Sequence, residues 1–501
     1  MTGMDARPAC RTSTVRHFAT GLVQLLRRKR LDMSKYGFSV AFVIVPVVLA
    51  IPAGAGFSSG TERCTIVAIT GGGYHFSLAL AQDGGVYGWG KRSSLGAGES
   101  FELATRPIRS LSPNPGPMRS VGGGDAHGLA IRSDGTAWAW GNGWEGELGD
   151  GTYRGAFTPV QVLSLLDVRV VDGGYMHSMA LDGTGAVWAW GDNQFGQLGN
   201  GTNDRSNVPV QVLGLSGIVG LSSAYGQGLA VRDDGTVWAW GSNGCAQLGD
   251  GTFDDRNTPV RTQGISNAVA VAAGWCHSLA LLSDGRVLAW GDNAEGQLGD
   301  GTGRGKRIPV LVPSLDNVVA LAGGGGTSFA IRGDGTLWGW GDDSFGQVGN
   351  GPPNFNEWTP KQVTALSNVI AVSGGKAHHS LAVTADGSAW AWGNGSGGTL
   401  GNGDTANSSS PIRVDFDYLP PDQGNLLRAV KLGDDVELIF EGAQALLWEV
   451  DADFDKTTIG RTPLAAEMTE RWLLDVAAVS ASDSRYYHVR GLSLCSLMPG
   501  P

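Results

Sequence analysis

Residues 182–202 read Asp-Gly-Thr-Gly-Ala-Val-Trp-Ala-Trp-Gly-Asp-Asn-Gln-Phe-Gly-Gln-Leu-Gly-Asn-Gly-Thr, and variants of this stretch return along most of the chain. The glycine closing each Trp-Gly pair stands at Gly90, Gly141, Gly191, Gly241, Gly291, Gly341 and Gly393, at spacings of 51, 50, 50, 50, 50 and 52 residues. That makes seven copies of one unit. A period of this length means a small supersecondary unit that buries its apolar surface only by stacking on its neighbours.

Within one unit, residues 168–171 predict a first strand, 177–181 a second, 186–190 a third and 209–212 a fourth. Asp134-Gly135, Asp234-Gly235, Asp284-Gly285, Asp334-Gly335 and Asp386-Gly387 occupy the turn between the second and third. Asp-Gly accepts the positive φ that tight hairpins need. Trp188 and Trp190 share one face of their strand while Val187 and Ala189 take the other. Both faces are apolar, so each sheet must be covered on both sides. A closed ring of four-stranded blades meets that requirement.

The run Gly-Gly-x-x-His-Ser-x-Ala-Leu, then Asp-Gly-x-Val-Trp-x-Trp-Gly, then Gly-Gln-Leu-Gly-Asp-Gly-Thr resembles the regulator-of-chromosome-condensation repeat over about residues 65–414. The resemblance implies an all-β fold with a seven-bladed β-propeller. Ring closure is expected to pair the last strand, near 411–414, with the first, near 66–69. The end blades depart most from the pattern: blade 1 has Ser94-Leu95-Gly96 for the Gln-Leu-Gly loop, and blade 7 has Gly398-Thr399-Leu400-Gly401.

Outside the repeats, residues 1–55 hold 8 of the 36 Lys/Arg and 2 of the 47 Asp/Glu. A basic flank at 27–35, an apolar run at 40–51 and Ala53-Gly54-Ala55 read as a signal peptide or an N-terminal anchor, with Met1 or Met33 as the start. Secretion or a periplasmic or cell-envelope location is the expectation, with membrane attachment only if the segment stays uncleaved. The remainder carries 28 Lys/Arg against 45 Asp/Glu. So acidic a body repels phosphate backbones, which argues against nucleic acid as a partner. Residues 415–423, with Pro420-Pro421, read as a linker. Residues 424–501 lose the glycine period and show strands at 436–440, 446–450, 472–474 and 486–489. They resemble a small fibronectin type III-like β-sandwich.

Four cysteines fall outside residues 1–55. The repeat register favours Cys245 with Cys276, leaving Cys64 and Cys495 to join the two ends of the chain; free thiols are the alternative. His127, His177, His277 and His379 recur at one repeat position. One ligand per blade is spread round a ring, so each is expected to bond backbone within its own blade and not a metal. The loops Asp192-Asn193…Asn200-Gly201 lack the ligand spacing of an EF-hand and read as turns. Glycine runs such as 323–326 carry no phosphate-loop Lys. No His-Glu-x-x-His or Cys-x-x-Cys is present, so the reading is of a non-enzyme without cofactor.

The third strand's exit and the second strand's start fall at one end of every blade. That end gathers Tyr74, Tyr175, Tyr225 and Trp275 at one repeat position and Trp144, Phe195 and Phe345 in the adjacent loop. Rings on a rigid frame are the usual anchors of protein interfaces. The expected function is a secreted, non-catalytic module that binds a protein, with a cell-surface glycan as an open alternative. Secreted bacterial β-lactamase inhibitors of similar repeat type illustrate such a role. Two others stay open: guanine-nucleotide exchange on a small GTPase, as for the family's nuclear founder, and degradation of an extracellular polymer.

Overall fold

The computed structural model describes residues 65–73, 75–98, 103–110, 116–376 and 378–416, with the strands Leu426–Leu432, Asp435–Glu441, Leu474–Ala481 and Ser484–Gly491 beyond them. Residues 1–55, Cys64, Tyr74 and Cys495 lie outside the described residues.

In the third blade Val168–Gly173, His177–Asp182, Val187–Gly191 and Ser206–Gln211 pair in sequence order, all antiparallel. His177 faces Gly191 and Trp188 faces Gln211. The Asp182 carboxylate accepts from the backbone N–H and the hydroxyl of Thr184, which fixes the hairpin turn. Gly191 has φ +107°, which only glycine adopts at low cost. The same four-stranded order recurs in all seven blades, which together span 66–413.

The first strand of each blade packs on the first strand of the next, from Ile66–Gly71 round to Val369–Gly374 and back. These strands therefore form the innermost ring, and the fourth strands form the rim. The inner strands converge on glycine. A Cβ on Gly173 would stand 2.6 Å from the Gly124 nitrogen, and one on Gly374 2.8 Å from the Gly324 Cα. Paired glycines at the ends of five first strands, with Ser223-Ala224 and Ala273-Gly274 in the other two, thus let seven backbones meet at one mouth.

Each third strand sends one indole into the preceding blade. Trp89, Trp140, Trp190, Trp240, Trp290, Trp340 and Trp392 are all fully buried. Trp190 lies among Leu129, Ala137, Ala139 and Leu148 of the second blade and donates to the Glu147 carbonyl at 2.9 Å. Trp240 donates likewise to Gln197 at 3.0 Å and Trp290 to Gln247 at 2.8 Å. The residue two positions earlier, a tryptophan in five blades, Tyr87 in the first and Leu288 in the fifth, is half-buried, and Trp188 lies on the same side as Trp190. Val187 and Ala189 face the fourth blade.

Ring closure differs from the expectation. Ser408–Arg413 pairs with Ala389–Gly393, and Ile66–Gly71 with Phe76–Ala81; neither crosses the seam. The repeat phase begins on the innermost strand and ends on the outermost, so no strand is left over to exchange. The seam closes as every other joint does, by packing and hydrogen bonds. The Ile66 N–H donates to the Gly387 carbonyl at 3.0 Å. The Trp89 indole and the Ser77 hydroxyl both donate to the Thr399 carbonyl, at 2.7 and 3.0 Å. Arg106 pairs with Asp415 at 3.0 Å.

Beyond the ring, the described strands form two separate hairpins, Leu426–Leu432 with Asp435–Glu441 and Leu474–Ala481 with Ser484–Gly491. The first strand of each was not foreseen at those bounds, and of the expected sandwich the described residues contain these four strands.

Candidate functional site

The register His177 opposite Gly191 places the loop between first and second strands beside the loop leaving the third strand. All seven such loop pairs lie on one face of the ring. Both ends of the propeller segment lie on the other: Ile66 bonds Gly387 in a hairpin turn, and Val414 bonds Ala389 at the start of a third strand. The loop face is thereby free of the points where the appended segments attach.

On the loop face the described rings make a continuous arc. Tyr175 meets Tyr225 at 5.4 Å between centroids, Phe195 meets Tyr225 at 6.5 Å, and Tyr225 meets Trp275 at 6.5 Å. Trp275 then meets His378 edge-on at 5.9 Å, and His378 meets Phe345 at 5.4 Å. Tyr175 and Tyr225 are each 38% exposed. The loops beneath are stiff. The Phe195 N–H donates to Gln197 Oε1 at 2.9 Å, and Gln197 Nε2 donates to Asp192 at 2.8 Å. Asn193 donates to the Thr202 and Asp204 carbonyls and accepts from the Leu198 N–H. The polar atoms that superficially suggested a calcium loop are spent inside the loop.

Of the expected contact residues, the structure joins Tyr175, Phe195, Tyr225, Trp275 and Phe345. Trp144 is 72% exposed and stands off the arc among the described residues. Its register explains this: Glu145, not Trp144, occupies the position of Phe195. His378 was missed. The last repeat carries one extra residue in this loop, Lys376-Ala377-His378 against Tyr175-Met176, which is part of its 52-residue spacing. That insertion also sends Lys376 across the mouth. Its ammonium donates to the carbonyls of Gly123, at 3.0 Å, and Gly173, on the second and third blades. Burial pushes the Lys376 ammonium down, against the pull of Asp172 and Asp125. Burial likewise raises Asp172, and Asp125 to about 6, with Lys376 acting in the opposite sense on both.

The recurrent histidines do not bond within their own blades, contrary to expectation. His127 pairs through Nε2 with the Ser178 hydroxyl at 2.9 Å, His277 with Ser328 at 2.9 Å, and His379 with Ser77 at 3.0 Å. Each bridges to the next blade, because the serine beside the next histidine position faces back across the joint. Among the described residues no three His, Cys, Asp or Glu side chains converge on one point. His177 meets Gly228 where the others meet serine, and neither of its ring nitrogens has a protein partner. Burial, then Lys376, lowers it to about 3. In blade 1 the same position is Phe76, and the next blade's serine position is likewise a glycine, Gly128.

His177→Phe should therefore stabilise the protein by about 1–3 kcal/mol at pH 7, the cost of an unsatisfied buried polar group. The folded pKa lies below the unfolded one, so wild-type stability is lost as pH falls below about 6.5. The advantage of the variant should widen by about 1.4 kcal/mol per pH unit from there towards pH 4. Urea unfolding at pH 7.5, 6 and 5 measures it; a constant difference would contradict the assignment.

Cys245 and Cys276 form a disulfide with Cα atoms 5.5 Å apart, tying the fourth blade to the fifth on the loop face.

The repeat model "Regulator of chromosome condensation (RCC1) repeat" matches residues 134–181 and 184–231, and the model "RCC1-like domain" matches 229–439. Over residues 134–439 the chain is thus similar to the RCC1 repeat and the RCC1-like domain. Among relatives, the human "Probable E3 ubiquitin-protein ligase HERC6" is 38% identical over 98 residues, 19% of this chain and 9% of that protein. The chain thus spans under a tenth of that relative. Human WBSCR16 superposes with a TM-score of 0.59 at 23% identity, over 66% of this chain and 93% of its own. Prp20p of Saccharomyces cerevisiae, studied for its binding to Gsp1p and histones, superposes with a TM-score of 0.58 at 24% identity, over 71% and 87%. At these identities the likeness is one of fold alone, the β-propeller.

Proposed function

We propose that this RCC1 propeller is a non-catalytic, exported binding module that grips a protein partner through the aromatic arc. One observation carries the reading: Tyr175, Phe195, Tyr225, Trp275, Phe345 and His378 touch in series on rigid loops of one face. Partly exposed rings held by a frame lose little entropy on contact and present large apolar area. The likeness to Prp20p supports a protein as partner, since that propeller was studied with Gsp1p and histones. Export rests on the basic-then-apolar segment before residue 56, and the fibronectin type III-like reading rests on the strand-rich stretch after 423.

The test uses the mature chain as bait against culture medium and envelope extract, with retained proteins identified by mass spectrometry. Tyr225→Ala with Trp275→Ala should weaken capture at least about 30-fold, the size expected for two central anchors, with thermal unfolding nearly unchanged. Undiminished capture removes the arc as the binding face. Retention of glycan in place of protein would replace the partner class. The likeness to Prp20p also keeps nucleotide exchange in view, and accelerated release of fluorescent GDP from a bound small GTPase would favour it.

A further inference from the structure

The loop leaving one blade's third strand meets the next blade's first loop at one recurring pair of positions. Between blades 3 and 4 the pair is Phe195 and Gly226: the Phe195 ring lies flat enough on the glycine that a Cβ there would stand 3.2 Å from its Cδ2. Between blades 6 and 7 the pair is Phe345 and His378, ring to ring at 5.4 Å. Between blades 4 and 5 it is Cys245 and Cys276. The backbone at all three is equivalent, since the N–H of Phe195, Cys245 and Phe345 each donates to the glutamine two residues on. In blades 2 and 5 the first position is a glutamate that reaches a polar group of the next blade, Glu145 to Arg205 at 2.8 Å and Glu295 to Asn356.

The covalent joint falls beside the centre of the arc. Trp275 precedes Cys276 and links the Tyr175–Phe195–Tyr225 segment to His378 and Phe345. Blade 6 offers Gly325 at the mouth position, so no ring from that blade supports Trp275. Its N–H leans on the Gly324 and Gly325 carbonyls at 3.3 Å.

We infer that the Cys245–Cys276 bond is the positioning element of the arc, standing in for a ring joint, and that it makes the placement of Trp275 responsive to thiol redox state. Reduction by dithiothreitol transfers two electrons and two protons: the S–S bond breaks, two thiols form, and the reductant closes to its cyclic disulfide. The joint then holds two small side chains where its equivalents hold a ring, and Trp275 gains freedom that a partner must remove again on binding. This last step rests on the binding reading above; the placement of Trp275 does not.

The full mature chain is grown with 5-fluorotryptophan and read by fluorine NMR, with Trp275→Phe assigning the resonance. Dithiothreitol should shift or broaden that resonance while those of the seven buried indoles hold. Cys245→Ser with Cys276→Ser should show the reduced position with or without reductant. Cys245→Phe with Cys276→Gly copies the joint between blades 3 and 4 and should keep Trp275 ordered and indifferent to reductant. A Trp275 resonance unmoved by reductant, or maleimide labelling of both cysteines before reduction, overturns the inference. In the pull-down, the wild type should lose about 10-fold in capture on reduction and the Phe/Gly variant should not. If the resonance responds but capture never depends on Trp275, the positioning role stands and the binding reading falls.

Discussion

Trp89→Ala should destabilise the propeller by about 3–5 kcal/mol, the range for emptying a buried tryptophan site. Trp89 is fully buried at the seam, among Leu381, Val383, Ala389, Ala391, Leu400 and Val414 of the last blade. Its indole donates to Thr399, 310 residues away, and Phe416 packs edge-on against it at 5.8 Å. Alanine would leave a cavity between the two blades that no strand pairing bridges. Trp240→Ala at an internal joint should cost a similar amount, because Leu181, Val187, Ala189 and Leu198 surround that ring in the same way. Denaturant unfolding of both variants measures this. A loss under about 1 kcal/mol at Trp89 would mean that the ring is not closed by that indole.

Lys376→Met should cost about 1–3 kcal/mol at pH 7, the range for leaving buried acceptors without their donor. The ammonium holds the carbonyls of Gly123 and Gly173 from the far side of the mouth. Its charge also acts on the buried Asp172, whose carboxylate accepts from the Ser223 and Gly173 N–H groups and the Ser222 hydroxyl. Without Lys376 the carboxyls of Asp172 and Asp125 rise further above their unfolded values. A raised folded pKa means that stability is gained as pH falls through it, so the deficit should shrink between pH 7 and pH 5. His127 and His177, which Lys376 helps to lower, change in the same sense. Asp172→Asn in the Lys376→Met background should restore part of the loss, because the amide oxygen still accepts. A deficit that grows on acidification would contradict this account.

Much of the fold was readable because the information is periodic and local. Alternating Trp-x-Trp reports a strand with one apolar face, Val-x-Ala reports the other, and Asp-Gly marks the turn between. The aromatic arc was partly readable for the same reason: equivalent positions in a repeat occupy equivalent places, which brought out Tyr175, Tyr225 and Trp275. Trp144 misled because a ring one residue out of register in a loop faces outward, and sequence spacing alone does not weigh that. His378 and Lys376 were hidden by a single insertion, whose consequence depends on the chain bulging across the mouth.

From its residues alone, this chain determined the number of blades, the order of strands within each and which indoles must be covered, since alternation and turn chemistry act over a few residues. Only the closed ring decided what covers them. It set the seam without strand exchange, the histidine–serine bridges between neighbouring blades, the lysine spanning from the seventh blade to the second and third, and the contact of rings from blades 3 to 7. Each of these depends on distances between residues tens to hundreds of positions apart, which are set when seven sheets pack around one axis.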